Sequence, residues 1–222
     1  TLDAERRHGL LDPLMISTRE LTTPIEYGLQ WRERREWFAG EGWINWQRLN
    51  PPEQRDAFEV GAVLRGEVAP WLALRAQHLW SHRGGQLHEA GVPVTNNRGT
   101  AIGAEGHHEL GALGESSLAA FRIWSAGHLD PAYPADRPAN GAGTWIRAGI
   151  TPAWDVEVFG IHWRGTDFEA AAGDPNYGSV GKEAGFYRAE RTYTEIGLRT
   201  QVRQRRGGVE LDAEIRGVGV DD

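Results

Sequence analysis

Glu105, His107 and Glu109 come nearest, by type and spacing, to residues that do chemistry. In an extended chain every second side chain shares a face. Two carboxylates and an imidazole would then stand together and could hold a metal ion or relay a proton. Ser116 and Ser117 follow closely, which makes a hydrolase built on His107 with Glu105 or Glu109 conceivable. The neighbouring His108 points the other way, so the two imidazoles cannot chelate one ion. His78 and His82 also share a face, but it is an apolar one with Leu72 and Leu74. The loops Asp174–Gly178 and Asp130–Pro134 carry acids, yet they lack the spacing of a calcium loop, and turn chemistry accounts for them. Cysteine is absent, which removes thiolate chemistry and disulfide frameworks. None of these groups forms a complete constellation, and polar residues lining a lumen near its rim are the plainer reading. The sequence therefore predicts no catalytic residue, no metal and no cofactor.

The elements that position these residues are visible in the alternation. Ile25-Glu26-Tyr27-Gly28-Leu29-Gln30-Trp31-Arg32 is apolar at odd positions and polar or glycine at even ones. That period of two marks a strand with one dry and one wet face. Phe58–Arg65, Thr192–Arg203 and Val209–Arg216 repeat it. Weaker segments at 36–48, 71–82, 100–111, 116–127, 143–151 and 154–164 are compatible, giving about ten strands. Glycine lies inside nearly every segment and costs a helix on the order of 1 kcal/mol each time. Helix is allowed only within Asp167–Gly173 or Pro52–Phe58.

Three features separate this pattern from a soluble sandwich. The alternating segments run roughly nine to sixteen residues, where soluble strands have a mode of about five or six and membrane-barrel strands need about nine to eleven. Short connections (Arg34-Arg35, Ala69-Pro70, Gly111–Glu115, Pro152-Ala153, Arg205–Gly208) alternate with long ones (50–56, 83–98, 128–142, 165–185). In an up-and-down sheet all the short turns then sit at one end. The tryptophans fall near strand ends: Trp31, Trp37, Trp71 and Trp154 beside short turns, and Trp43, Trp46, Trp80, Trp124, Trp145 and Trp163 towards long loops. Indole prefers the headgroup level of a bilayer, so these ten are read as two aromatic girdles.

With this alternation, loop asymmetry and aromatic placement, the chain resembles the bacterial outer-membrane β-barrel class, porin-like in the broad sense, over about residues 24–220. The resemblance implies an all-β, antiparallel, up-and-down transmembrane barrel in the outer membrane, with membrane lipid as partner. It implies passage of small polar solutes, or a structural role, without enzymatic activity. Residues 1–23 are read as an N-terminal loop or extension, mostly external, with Leu14-Met15-Ile16 as a short strand, and residues 24–222 as the barrel strands. Strand direction, the Thr1 start and the absence of a terminal aromatic strand predict a fragment, with a strand missing on either side.

Composition agrees with a single domain and narrows the partners. The 222 residues carry 24 Lys+Arg against 31 Asp+Glu, a net charge of −7, which argues against nucleic acid. No apolar run is long enough for a membrane helix. The wet faces offer Glu59, Arg65, Arg75, Glu105, His107, Glu109, Arg122, Arg147, Glu157, Glu195, Arg199, Glu210, Asp212 and Glu214 to a lumen. There they would select solutes or brace the interior as Arg–carboxylate pairs. Two rival readings stand beside the porin: a soluble secreted β-sandwich or lipocalin-like binding protein, and the barrel-embedded hydrolase.

Overall fold

The computed structural model describes residues 1–2, 5–23, 25–48, 55–84, 94–127, 138–152, 156–180, 186–203 and 210–220. Ten strands follow one another: β1 (Gly28–Arg34), β2 (Phe38–Arg48), β3 (Ala57–Ala69), β4 (Leu72–Arg83), β5 (Thr95–Glu109), β6 (Glu115–Ala126), β7 (Asn140–Thr151), β8 (Val156–Thr166), β9 (Glu190–Arg203) and β10 (Glu210–Val220). All belong to one sheet, each antiparallel to the next in sequence order. The all-β, up-and-down architecture read from the alternation is the one that forms, and the two-sheet sandwich is not. β1 and β10 are the margins of the sheet and do not pair with each other, so these strands do not close the barrel. The strand ends on either side of positions 35–37, 70–71, 110–114, 152–155 and 204–209 lie at one end of the sheet, and those on either side of the longer intervals 49–56, 84–94, 127–139 and 167–189 at the other.

The two helices allowed by the sequence do not form. Residues 167–173 are bends, a turn and irregular backbone, Ala57 and Phe58 open β3, and 52–54 lie outside the described residues. A 3-10 turn at Glu5–Gly9 and a short helix, α1 (Arg19–Thr22), occur in the N-terminal stretch instead.

Register decides which residues share a face. Trp43 stands opposite Gly61, Gly61 opposite Leu79, Leu79 opposite Gly99, and Gly99 opposite Ser125. This face is buried, and it carries Trp43, Val63, Leu79, Ala101, Phe121, Ile123, Trp145, Phe159, Ile161, Trp163 and Tyr193. The other face exposes Leu29, Leu64, Leu74, Ile102, Leu118, Ile146, Ile150, Val158, Ile196 and Leu198. Two glycines show how the inner rings fit. A Cβ at Gly61 would lie 2.1 Å from the Trp43 ring, and one at Gly143 2.1 Å from that of Trp163. Each indole lies flat over a missing side chain on the neighbouring strand.

The N-terminal stretch, read above as mostly an external loop, packs on this inner face. Leu10, Leu11, Leu14 and Met15 are buried in one core with Trp43, Leu79, Phe121, Trp145 and Trp163. Strand side chains satisfy its backbone. The Leu11 N–H donates to Gln77 Oε1 at 3.0 Å, while Gln77 Nε2 and the Arg75 guanidinium both donate to the Gly9 carbonyl. The long β8–β9 link folds onto the same core. The Ala171 N–H donates to Asn97 Oδ1 and the Glu169 N–H to Ser125 Oγ, and Tyr177 meets Trp163 and Tyr193 edge-on. The two segments meet through Ile16 N–H to Ala172 O and Asp174 N–H to Asp12 O. Four apolar side chains in six residues cannot stay in water when an apolar wall is available.

His8 pins the stretch to the wall. Its ring is stacked on Trp43 with centroids 4.0 Å apart, Nδ1 lies 2.5 Å from Glu41 and Nε2 3.1 Å from Glu26. Burial alone would push its pKa down, but the bonds and charges of the two carboxylates outweigh that and hold it above the ordinary histidine value. Arg19 adds an ion pair to Glu59 and approaches Glu26 at 3.5 Å.

Two outcomes follow. Gly143→Val should lower unfolding stability in detergent by about 1–3 kcal/mol, because the Trp163 ring must move. Gly66→Val, with nothing within 4 Å of its Cβ position, should stay within about 0.5 kcal/mol of wild type. Unfolding midpoints of both variants check this. For His8, the stabilising bonds are complete below its unfolded pKa of about 6.5 and are lost as pH rises through the raised folded value. Wild-type midpoints should therefore fall as pH rises above about 6.5, and His8→Gln should flatten that fall.

Candidate active site

The charges predicted for the lumen divide by location. Glu59 is buried and holds Arg19, with the Ser81 hydroxyl donating to it at 3.4 Å. Arg75 pairs with Glu105 at 2.6 Å, and Arg65 reaches both Glu67 and Glu105. Arg147 pairs with Glu157 at 2.7 Å, and its guanidinium lies 4.5 Å from the Phe159 ring centre. Glu195 is buried, accepts from the Tyr193 hydroxyl at 2.6 Å and pairs with Arg216 at 3.3 Å. Arg199 stands in register with Glu157 and Glu214. His107 and Glu109 are exposed at the short-link end of β5. The side chains of Glu210, Asp212 and Glu214 lie outside the described residues. Arg122 does not face inward. It is exposed on the outward face, opposite Ile102 and Thr144, because the apolar inner residues of β6 are the odd-numbered Phe121 and Ile123.

The tryptophans divide in the same way. Trp31, Trp46, Trp80 and Trp124 lie on the outward face, and Trp37 and Trp71 stand exposed at short links. Trp154 lies outside the described residues. Trp43, Trp145 and Trp163 are buried inside and belong to no girdle, since each shares the parity of the inner-face residues of its strand. With Leu14, Met15, Phe168 and Tyr177 they fill the inner space at the long-link end with side chains.

Register sets imidazoles opposite hydroxyls at several places. His107 faces Ser117 on the inner side, but Glu105 beside it is already bonded to Arg75. His108 faces Ser116 on the outer side, where the serine hydroxyl donates to the His108 carbonyl at 3.2 Å and its proton is spoken for. That pair borders a shallow apolar groove with Trp71, Leu118, Ile150, Val158 and Ile196. His162 lies 3.3 Å from Thr194 Oγ1. The tightest pair is His78 Nδ1 and Thr100 Oγ1, 2.8 Å apart across β4 and β5. No group of three metal-ligating side chains occurs among the described residues.

The surroundings of His78 and Thr100 are outward and aromatic. Trp124 stands opposite Thr100 from the β6 side. Trp80, two residues from His78, stands opposite Arg98, whose guanidinium lies 5.7 Å from the ring centre. Asn96 Oδ1 accepts from the Trp80 indole at 3.1 Å and lies 2.8 Å from His82 Nδ1. His82 Nε2 contacts the Gly84 carbonyl, so both of its nitrogens are committed, as are those of His8. Among the described residues, no carboxylate bonds to His78, and its Nε2 has no hydrogen-bond partner. A hydroxyl donating to an imidazole is the first link of a nucleophile–base relay. Arg98 supplies positive charge on the same face. Sequence reading placed His78 on an apolar face but could not pair it with Thr100, because the register that joins them crosses a long link.

A sequence model of the lipid A 3'-O-deacylase-type family matches residues 1–218. No curated protein matches, and no solved structure matches. The chain belongs to this family, which is associated with the bacterial outer membrane. The expectation of a non-enzymatic, porin-like protein that passes small polar solutes is thereby overturned, because the family is one of hydrolases.

Proposed function

We propose that this member of the lipid A 3'-O-deacylase-type family sits in the bacterial outer membrane and removes an ester-linked acyl chain from lipid A at its outward wall. The observation that carries the reading is the 2.8 Å contact between His78 and Thr100 on the outward face, where its apolar part meets the charged residues nearer the long links. Trp80 and Trp124 flank that contact. Tryptophan favours the boundary between headgroups and acyl chains, which is the depth of an acyl ester. A substrate anchored by its own chains then needs to move only laterally to reach the site.

In this reading the Thr100 hydroxyl gives its proton to His78 Nδ1 as its oxygen attacks the ester carbonyl. The sugar oxygen leaves with that proton, and the acyl chain stays on Thr100. Water, deprotonated by the same imidazole, releases the fatty acid and restores the threonine. Arg98 faces the oxyanion that forms at each attack. The apolar residues below, Ile102 and Leu118 among them, lie along the path of the acyl chain.

Detergent-solubilised protein incubated with lipid A should shorten it by one acyl chain, read by mass spectrometry. His78→Asn should lower the rate by about 10²–10⁴-fold, the range for loss of a general base. Thr100→Val should abolish turnover and Thr100→Ser should keep it. Full activity in both His78→Asn and Thr100→Val would sink this site. No acyl loss by wild type would sink the function.

A further inference from the structure

The outward face of β4–β9 is electrically two-sided along its length. Towards the short links it is apolar: Leu74, Ile102, Leu118, Ile146, Val158 and Ile196. Towards the long links it carries Arg98, Arg122, His162 and Arg164, all exposed. Glu190 is the one carboxylate on that face of these six strands among the described residues, 3.8 Å from Arg164, with both side chains more than two-thirds exposed. Such a pair binds weakly and leaves the guanidinium available. Arg98 and Arg122 have no carboxylate partner among the described residues.

Register arranges part of this charge as a row. Arg122, Thr144, Arg164 and Thr192 stand directly opposite one another across β6, β7, β8 and β9. The Arg122 guanidinium donates to Thr144 Oγ1 at 3.1 Å. The two arginines are two strands apart, roughly 10 Å at ordinary strand spacing. The row begins beside the proposed ester site, because Thr100 faces Trp124 and Arg122 is the next outward residue on β6. Guanidinium and hydroxyl groups in alternation are the chemistry that binds phosphate.

We propose that this row holds the phosphate groups of lipid A, clamping the headgroup so that its acyl ester meets Thr100. The proposal rests on the lipid A reading above and adds the feature of the substrate that the wall recognises. The occupant is a phosphate-bearing glycolipid in the leaflet at the long-link end. Charge complementarity argues for it, and so does the apolar half of the same wall, which covers acyl chains.

The test reads binding apart from turnover. Protein carrying His78→Asn is mixed in detergent with lipid A, either intact or stripped of phosphate, and complexes are counted by native mass spectrometry. Adding Arg122→Gln with Arg164→Gln should weaken binding of intact lipid A by about tenfold or more, the scale of a lost charge-assisted pair. The same double change should alter binding of the dephosphorylated lipid less than about twofold. Arg122→Lys with Arg164→Lys should restore part of the loss, which a folding defect would not. Arg35→Gln, in a short link at the opposite end, should change nothing. Equal loss for both lipids, or no loss, overturns the proposal. So does equally tight, arginine-dependent binding of phosphatidylglycerol. If wild type fails to hydrolyse lipid A, the binding comparison still decides the row on its own.

Discussion

Ten strands paired in step leave a side chain no choice of direction. Irregularities occur near strand ends, between Trp46 and Arg48 and between Glu67 and Ala69. Elsewhere the count runs unbroken, and from β2 to β9 odd positions face in and even positions out, while in β1 and β10 the parity is reversed. The aromatic core, the outward His78–Thr100 contact and the arginine row are all products of that count. A slip of one residue in β5 would carry Thr100 inside and bring Gly99 or Ala101 to the outer wall, losing the site and the core together.

A wall that is apolar on both faces is unusual, and its two faces are reconciled in different ways. Outside, single aliphatic residues present a smooth hydrocarbon surface, more extensive than a soluble monomer normally exposes. Inside, large rings lie over glycines, and the space that is left receives the N-terminal stretch and the β8–β9 link. Buried charged groups inside are held in pairs, Glu59 with Arg19 and Glu195 with Arg216. Breaking such a pair would strand a buried charge at a cost of about 3–5 kcal/mol. An interior so committed braces the wall.

Much of the architecture was legible in the alternation, because strand periodicity is local: ten strands, their order and the alternation of short and long links can be counted along the chain. Faces were harder. On β8, Glu157 and Trp163 share a parity, so polarity at one end and aromaticity at the other give conflicting signs. Trp43, Trp145 and Trp163 were read as girdle from their place near strand ends, and Arg122 as a lumen charge, without a test of parity. The useful signal was a tryptophan sharing parity with Glu41 and Asn45, as Trp43 does. His78 with Thr100, and the burial of Leu10 to Met15, depend on partners across links or on distant strands. No window of sequence contains them.

The N-terminal stretch also has a mechanical meaning. It meets β2 through His8 and Glu41, β3 through Arg19 and Glu59, β4 through Gln77, and β10 through Asp12 and Arg216. It acts as a spoke between the early and late strands of the sheet, near both of its free margins. A spoke can be seated only when the rim it joins has been drawn round, so this stretch is among the last parts to settle. Arg216 lies about two hundred residues from Asp12 in the chain, and contacts of that separation form late and slowly. Curvature, more than pairing, is what this spoke holds.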